Sequence, residues 1–295
     1  MRRPSVWVVL LGSLMAVAEA TITIVDDTGA QLVLPRSAQR IVSLSPGATE
    51  MLFAAGAGSR IVATVSGADF PDAARQIERI GSVSALKYER LQALKPDVVV
   101  YWKNLTHELV VESLNKIKLP LYEVSVRELQ DIPRSIERLG RLAGTSGAAD
   151  LVARELDTRI RALPPRPAAP TGPRVFYMIW DVPLYTVGSR NAMSDAIARC
   201  GGQSIFDDIN FPAPIVEFEE IKRRNPDLII MAAPPITSRD WRERWNRFPQ
   251  VSAVANRRIS HFTDSRLTRM GPSAIDAVPE LCRHMAPLLA GVREQ

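Results

Sequence analysis

The sequence predicts an α/β protein of two lobes joined by a single long helix. Three observations carry this. Short β-branched runs alternate with amphipathic stretches from Arg40 onward, one uninterrupted helical segment then occupies Ser146 to Leu163, and the alternation resumes at Arg174. Strand and helix in alternation imply a mostly parallel sheet covered on both faces. The 295 residues, 46% of them hydrophobic and 23% charged, suffice for about two domains and a large core. The 37 basic and 32 acidic residues are spread along the chain without a block of one sign, which argues against a nucleic-acid partner.

Residues 1–20 read as a secretory signal peptide. Arg2 and Arg3 precede an apolar run from Val6 to Val17, and Ala18-Glu19-Ala20 supplies a small-x-small cleavage site before Thr21. The apolar run is too short to span a bilayer, which takes roughly twenty residues, so the mature chain is expected to be soluble in an exported, oxidising compartment. The N-terminal lobe covers 21–145. Its strands are expected at Arg40 to Leu44, Ile61 to Val65, Val98 to Tyr101 and Leu121 to Val124, and Ser45-Pro46 opens a helix through Ala55. Further helices are expected at Tyr88 to Leu94, Thr106 to Ile117 and Pro133 to Leu142.

The connecting helix covers 146–163, where Leu151, Val152, Leu156, Ile160 and Leu163 mark one face. At about 1.5 Å per residue it runs for roughly 27 Å. Five prolines, from Pro164 to Pro173, stiffen the connector at 164–173. The C-terminal lobe covers 174–295, with strands at Arg174 to Ile179, Leu228 to Met231 and Ile259 to Phe262. Its helices are expected at Ala192 to Arg199, Glu219 to Arg224 and Ser273 to Leu289. A single helix between lobes implies a nearly rigid pairing with a ligand cleft between them.

One segment recurs. Glu89, Pro96-Asp97 and Val98-Val99-Val100 match Glu219, Pro226-Asp227 and Leu228-Ile229-Ile230 in order and spacing, once per lobe, as expected of a duplicated architecture. Cys200 and Cys282 are the only cysteines, and in an oxidising compartment they are expected to pair with each other in preference to binding metal.

Catalytic signatures are missing. There is no Gly-x-Ser-x-Gly elbow and no Gly-x-x-x-x-Gly-Lys loop, and His107, His261 and His284 stand at no ligand spacing. No catalytic residue, metal site or intrinsic cofactor is therefore expected. Asp26-Asp27 and Asp207-Asp208 read as solvated turns. Trp102, Trp180 and Tyr185 follow or flank strand ends, where α/β proteins place ligand loops, and suit a flat, partly apolar ligand. The alternative is that each caps the core beneath it. Trp241 and Trp245, four apart, read as core-facing.

The ordered set Arg40 to Pro46, Thr49-Glu50, Phe53 to Gly56, Asp69-Phe70-Pro71, the two Glu to Pro-Asp segments, Pro183 to Thr186, Cys200-Gly201-Gly202 and Leu281-Cys282 resembles the Fe/B12 class of periplasmic substrate-binding proteins. It is most similar to the cobalamin-binding subgroup. The resemblance implies two Rossmann-like lobes on a helical backbone, the metal-receptor type, in a monomeric periplasmic protein that delivers a metal chelate to the membrane subunits of an ABC importer. It places importer docking on Glu89 and Glu219, the family's cysteine pair on Cys200 and Cys282, a cleft aromatic on Tyr185, and a polar pair at the cleft rim on Asp264 and Arg269. Departures are Gly67, Val83 and Ala213 in place of cleft aromatics of the cobalamin binders, and Ser82 where haem binders carry a ligand tyrosine. Cobalamin or a related corrinoid is the first expectation for the ligand. A ferric siderophore or haem is the second, and an exported hydrolase is the reading from another class.

Overall fold

The computed structural model describes residues 21–102, 108–168, 172–232 and 244–293. Residues 1–20, expected to be a signal peptide, His107, residues 169–171 of the connector and Trp241 lie outside the described residues. The first lobe opens with a hairpin of β1 (Ile22–Val25) and β2 (Gln31–Leu34) and continues through β3 (Ile41–Ser43), α1 (Pro46–Ala54), β4 (Ile61–Thr64), β5 (Gly81–Ser82) and β6 (Ala85–Leu86). It ends with α2 (Tyr88–Ala93), β7 (Val98–Tyr101), α3 (Glu108–Lys116), β8 (Leu121–Glu123) and α4 (Asp131–Ala143). Its sheet is parallel, in the order β4-β3-β7-β8.

After α5 (Ser146–Ala162) the second lobe runs β9 (Arg174–Asp181), β10 (Leu184–Thr186), α6 (Ala192–Arg199), β11 (Gln203–Ser204), α7 (Phe218–Arg224) and β12 (Leu228–Met231). It closes with α8 (Ser252–Ala255), β13 (Ile259–His261), α9 (Ser265–Arg269) and α10 (Pro272–Arg293). The strand order is β10-β9-β12-β13, with β11 also on β9, and only β10 runs antiparallel.

The caps follow the residues. The Ser45 hydroxyl accepts from Ala48 N, with Pro46 at the first helical position. Asn191 caps α6 through Met193 N. α4 starts two residues before the expected Pro133, because the Asp131 carboxylate accepts from Arg127 N at 2.9 Å and Glu128 N at 3.2 Å. The aspartates of the first hairpin correct an expectation. Asp26 and Asp27 are buried ties and not solvated turn residues: Asp26 accepts from Thr28 N and Ala30 N, and Asp27 from Ser125 N and Arg138, the latter at 2.9 Å. Burial pushes the Asp27 carboxyl up, against the pull of Ser135 and Arg138.

Each sheet separates two apolar layers, as strand pleating requires. Ile41, Val98 and Val100 join one layer, while Val42 and Val99 join the other with Leu91 and Leu114. In the second lobe Val175 and Tyr177 oppose Phe176 and Met178, and Phe176 packs with Trp245, which lies in the core as expected. The first layers of the two lobes merge. Met51 and Leu52 of α1, Leu139 of α4, Leu156 of α5, Ile197 of α6 and Leu281 of α10 belong to one continuous cluster. α5 lies along α4 and reaches the second lobe through Arg159, 3.2 Å from Asp276 of α10.

Cys200, just past α6, is bonded to Cys282 of α10, with their Cα atoms 4.6 Å apart. The link closes a separation of 82 residues. Replacing both cysteines by Ser is expected to lower the unfolding free energy by about 2–4 kcal/mol, through a less constrained unfolded chain. Chemical denaturation of the mature protein measures it, and an unchanged midpoint would refute it.

His284 of α10 donates to or accepts from the Ser260 hydroxyl at 3.0 Å and packs against the Phe262 ring, and burial lowers its pKa. The unfolded chain therefore takes up this proton first as the pH falls. The stability contribution is complete above the ordinary histidine range and lost below it. His284→Gln should flatten that part of the stability profile between about pH 7 and 5; an unaltered slope would count against it.

Candidate ligand cleft

Segments that follow strands of the two sheets meet between the lobes. Phe70, after β4, lies under the guanidinium of Arg269 from α9, with the charge 5.1 Å from the ring centre. At the floor of this junction Glu50 of α1, its side chain 3% exposed, accepts from Ser273 N at 2.6 Å and from Arg269 Nε at 3.3 Å. The two lobes meet so closely here that glycine stands on both sides of the contact, against backbone at Gly47 and against the Glu50 side chain at Gly271. A Cβ on Gly47 would lie 2.0 Å from the Arg269 carbonyl oxygen, and one on Gly271 would lie 2.7 Å from a Glu50 carboxylate oxygen.

Trp180 and Tyr185 are directly opposite each other on the antiparallel pair β9 and β10, and Tyr185 in turn forms a bridge with Ile215. Opposed residues share a face, so Trp180, Tyr185 and Ile215 make one apolar row across three extended segments. The row is open: Trp180 is 43% and Ile215 56% exposed. The segment 211–216 is held to β10 by Thr186 N to Pro214 O and Val216 N to Leu184 O. Phe211, at the same parity as Ile215, is also exposed. Sequence reasoning missed Ile215 and Phe211, although the alternation Phe211, Ala213, Ile215 was there to be read.

Trp102 does not join this row. It is 1% exposed and packs in the shared core with Val100, Val124 and Val126, so the expectation that it stacks on a ligand is corrected to the core-capping alternative. Asp264 and Arg269 are not partners of each other. Asp264 caps α9 through Arg266 N and forms an ion pair with Arg266, which also reaches Glu280 at 2.7 Å. The hydrogen bonds from Arg266 hold the Asp264 carboxyl below its usual range. Arg269 instead pairs with Glu50 in the other lobe.

The repeated segments fold alike. Asp97 accepts from Arg40 N at 2.9 Å and donates its own amide to Arg40 O, while the Arg40 side chain holds the Leu94 carbonyl at 2.7 Å and Lys95 turns left-handed. Asp227 accepts from Arg174 N at 2.9 Å and donates to Arg174 O, the Arg174 side chain holds the Arg224 carbonyl at 3.2 Å, and Asn225 turns left-handed. Each clamp ties the end of a short helix to the first strand of its sheet. Glu89 and Glu219 are the second residues of those helices, α2 and α7, and both are exposed. Glu219 pairs with Lys222 at 2.7 Å. Among the described residues no group of His, Cys, Asp and Glu side chains forms a metal-ligating cluster.

A family model described as periplasmic binding protein matches residues 41–266, which includes both sheets and the helix between them. The chain belongs to the periplasmic binding protein family. Within it, the chain is 27% identical over 246 residues to a vitamin B12-binding protein of Vibrio parahaemolyticus, covering 83% of this chain and 89% of the relative. A vitamin B12-binding protein of Pectobacterium atrosepticum is 29% identical over 255 residues, covering 85% and 89%. Among solved structures, the periplasmic vitamin B12 binding protein BtuF of Vibrio cholerae has a TM-score of 0.72 at 27% identity, covering 85% of this chain and 98% of its own. The periplasmic heme-binding protein RhuT of Roseiflexus, at 22% identity and a TM-score of 0.68 over 86% of this chain and all of its own, shares the fold. The family and these relatives make the chain a substrate-binding protein and not an enzyme.

Proposed function

We propose that this binding protein captures cobalamin or a related corrinoid between its lobes and delivers it to the membrane subunits of an ABC importer. The observation that carries the reading is the open apolar row of Trp180, Tyr185 and Ile215 at the mouth of a fold whose relatives are vitamin B12-binding proteins. A flat macrocycle offers the stacking area such a row can use, and Asp264 and Arg269 are the polar contacts that the resemblance to cobalamin binders implies at the cleft rim. Residues 1–20 direct export and are removed after Ala20, leaving a monomeric periplasmic protein. Gly67, Val83 and Ala213 leave space where cobalamin binders carry aromatics, which favours a ferric siderophore or haem as the second reading.

Titration of the mature protein with cobalamin, cobinamide, haem and a ferric siderophore tests this directly. One-to-one saturable binding of a corrinoid with quenching of tryptophan fluorescence is expected, and binding of haem or siderophore alone would replace the first reading with the second. Trp180→Ala and Tyr185→Ala should each weaken the affinity by about 1–3 kcal/mol, the range for stacking on aromatic platforms. Trp102→Phe should leave affinity alone; the reverse pattern would return Trp102 to the cleft.

A further inference from the structure

We propose that a cavity between the lobes, on the connector side of the molecule, is a binding site for a phosphate-class oxyanion held by Arg127 and Arg190. The cavity measures about 570 Å³. Arg127 and Glu128, between β8 and α4, and Asp131 at the start of α4 line it from the first lobe, Ser189 and Arg190 line it from the second, and Arg166 of the connector closes one side.

The charges around it are unevenly satisfied. Asp131 is occupied by the backbone amides of residues 127 and 128 and by Arg134 at 3.3 Å, and Glu128 lies 3.7 Å from the same Arg134. Arg166 lies 3.7 Å from the buried Asp195, which also receives Arg199 at 3.1 Å and the amide of Leu129 at 3.0 Å. The acidic groups therefore have partners already. The guanidinium groups of Arg127 and Arg190 have neither a hydrogen-bond nor an ion-pair partner among the described residues. Two guanidinium groups from opposite lobes thus line one cavity with their donors unused. Their planar donor forks match the oxygens of a phosphate or phosphodiester. Trp180, Tyr185 and Ile215 do not line this cavity.

Calorimetric titration of the mature chain with inorganic phosphate at low ionic strength, against chloride at matched ionic strength, tests the proposal without any chelate present. One saturable phosphate-specific site is expected. Arg127→Ala/Arg190→Ala should weaken it about tenfold or more, and the corresponding double Lys variant should fall in between, keeping charge without the fork. An unchanged melting midpoint shows that the variants are folded. A second arm distinguishes two sources of the anion. If phosphate and cobalamin bind additively, the occupant is the free ion; if phosphate competes with cobalamin but not with cobinamide, which lacks the nucleotide phosphodiester, the occupant is that part of the ligand. No phosphate-specific heat in the unaltered chain, or equal affinity in the folded double Ala variant, overturns the proposal.

Discussion

Replacing Glu89 and Glu219 together by Lys is expected to abolish transport and complex formation with the importer while leaving ligand affinity intact. The two carboxylates occupy the same position on equivalent helices, and each helix is fastened to its sheet by the same aspartate clamp. A carboxylate in the first turn is favoured by the helix dipole, which explains either one alone. The pair at matched, exposed positions suits a two-fold membrane partner presenting arginines, with charge-assisted bonds fixing the register. Glu219 must leave Lys222 to dock, an exchange between solvated ions that costs little. Transport of radiolabelled ligand in cells and pull-down with detergent-solubilised importer measure the outcome. Retained docking with collapsed ligand binding would move these residues into the cleft.

The second large effect is expected at Glu50. Among the described residues its carboxylate is the one acidic partner of Arg269 and also holds Ser273 N, so Glu50→Ala leaves the guanidinium with only the Ser265 and Ser273 hydroxyls and the amide without its acceptor at the closed floor of the junction. Removing one member of a buried pair typically costs about 3–5 kcal/mol, and this case belongs at the lower end because Arg269 keeps 17% of its side-chain surface in water. Equilibrium denaturation by urea reads the loss. Glu50→Gln, which can still accept from Ser273 N, should recover part of it. Equal stability of all three proteins would show that the lobes are held by apolar contact alone.

Much of this fold was legible because its signals are local. Ser45-Pro46, the β-branched runs and the apolar face of Ser146–Ala162 each act within one element, and the two Glu to Pro-Asp segments repeat a complete local device. The cleft was legible only in part. A strand-end position brought out Trp102 and Trp180 equally, yet one packs inward and the other opens outward, because the pleat and the neighbouring segment decide the side. Tyr185 was anticipated, but its partner Ile215 is brought in by a segment that is extended without belonging to a regular strand. The bond between Glu50 and Arg269 joins residues 219 apart, beyond any spacing rule. Asp26 and Asp27 looked like turn residues because the anchors they find, at Glu123 to Ser125 and on α4, are distant in sequence.

The apolar cluster that runs without a break from α1 through α5 to α10 bears on how the molecule comes apart. Cutting the chain after the connecting helix would strip the cover from Ala48, Met51 and Leu52 on one side and from Ala274, Val278 and Leu281 on the other, all now almost wholly out of water. Neither half is then a self-sufficient folding unit, despite its complete sheet. Heating should melt the whole in one cooperative step, and a ligand that grips either half should raise the melting temperature of both.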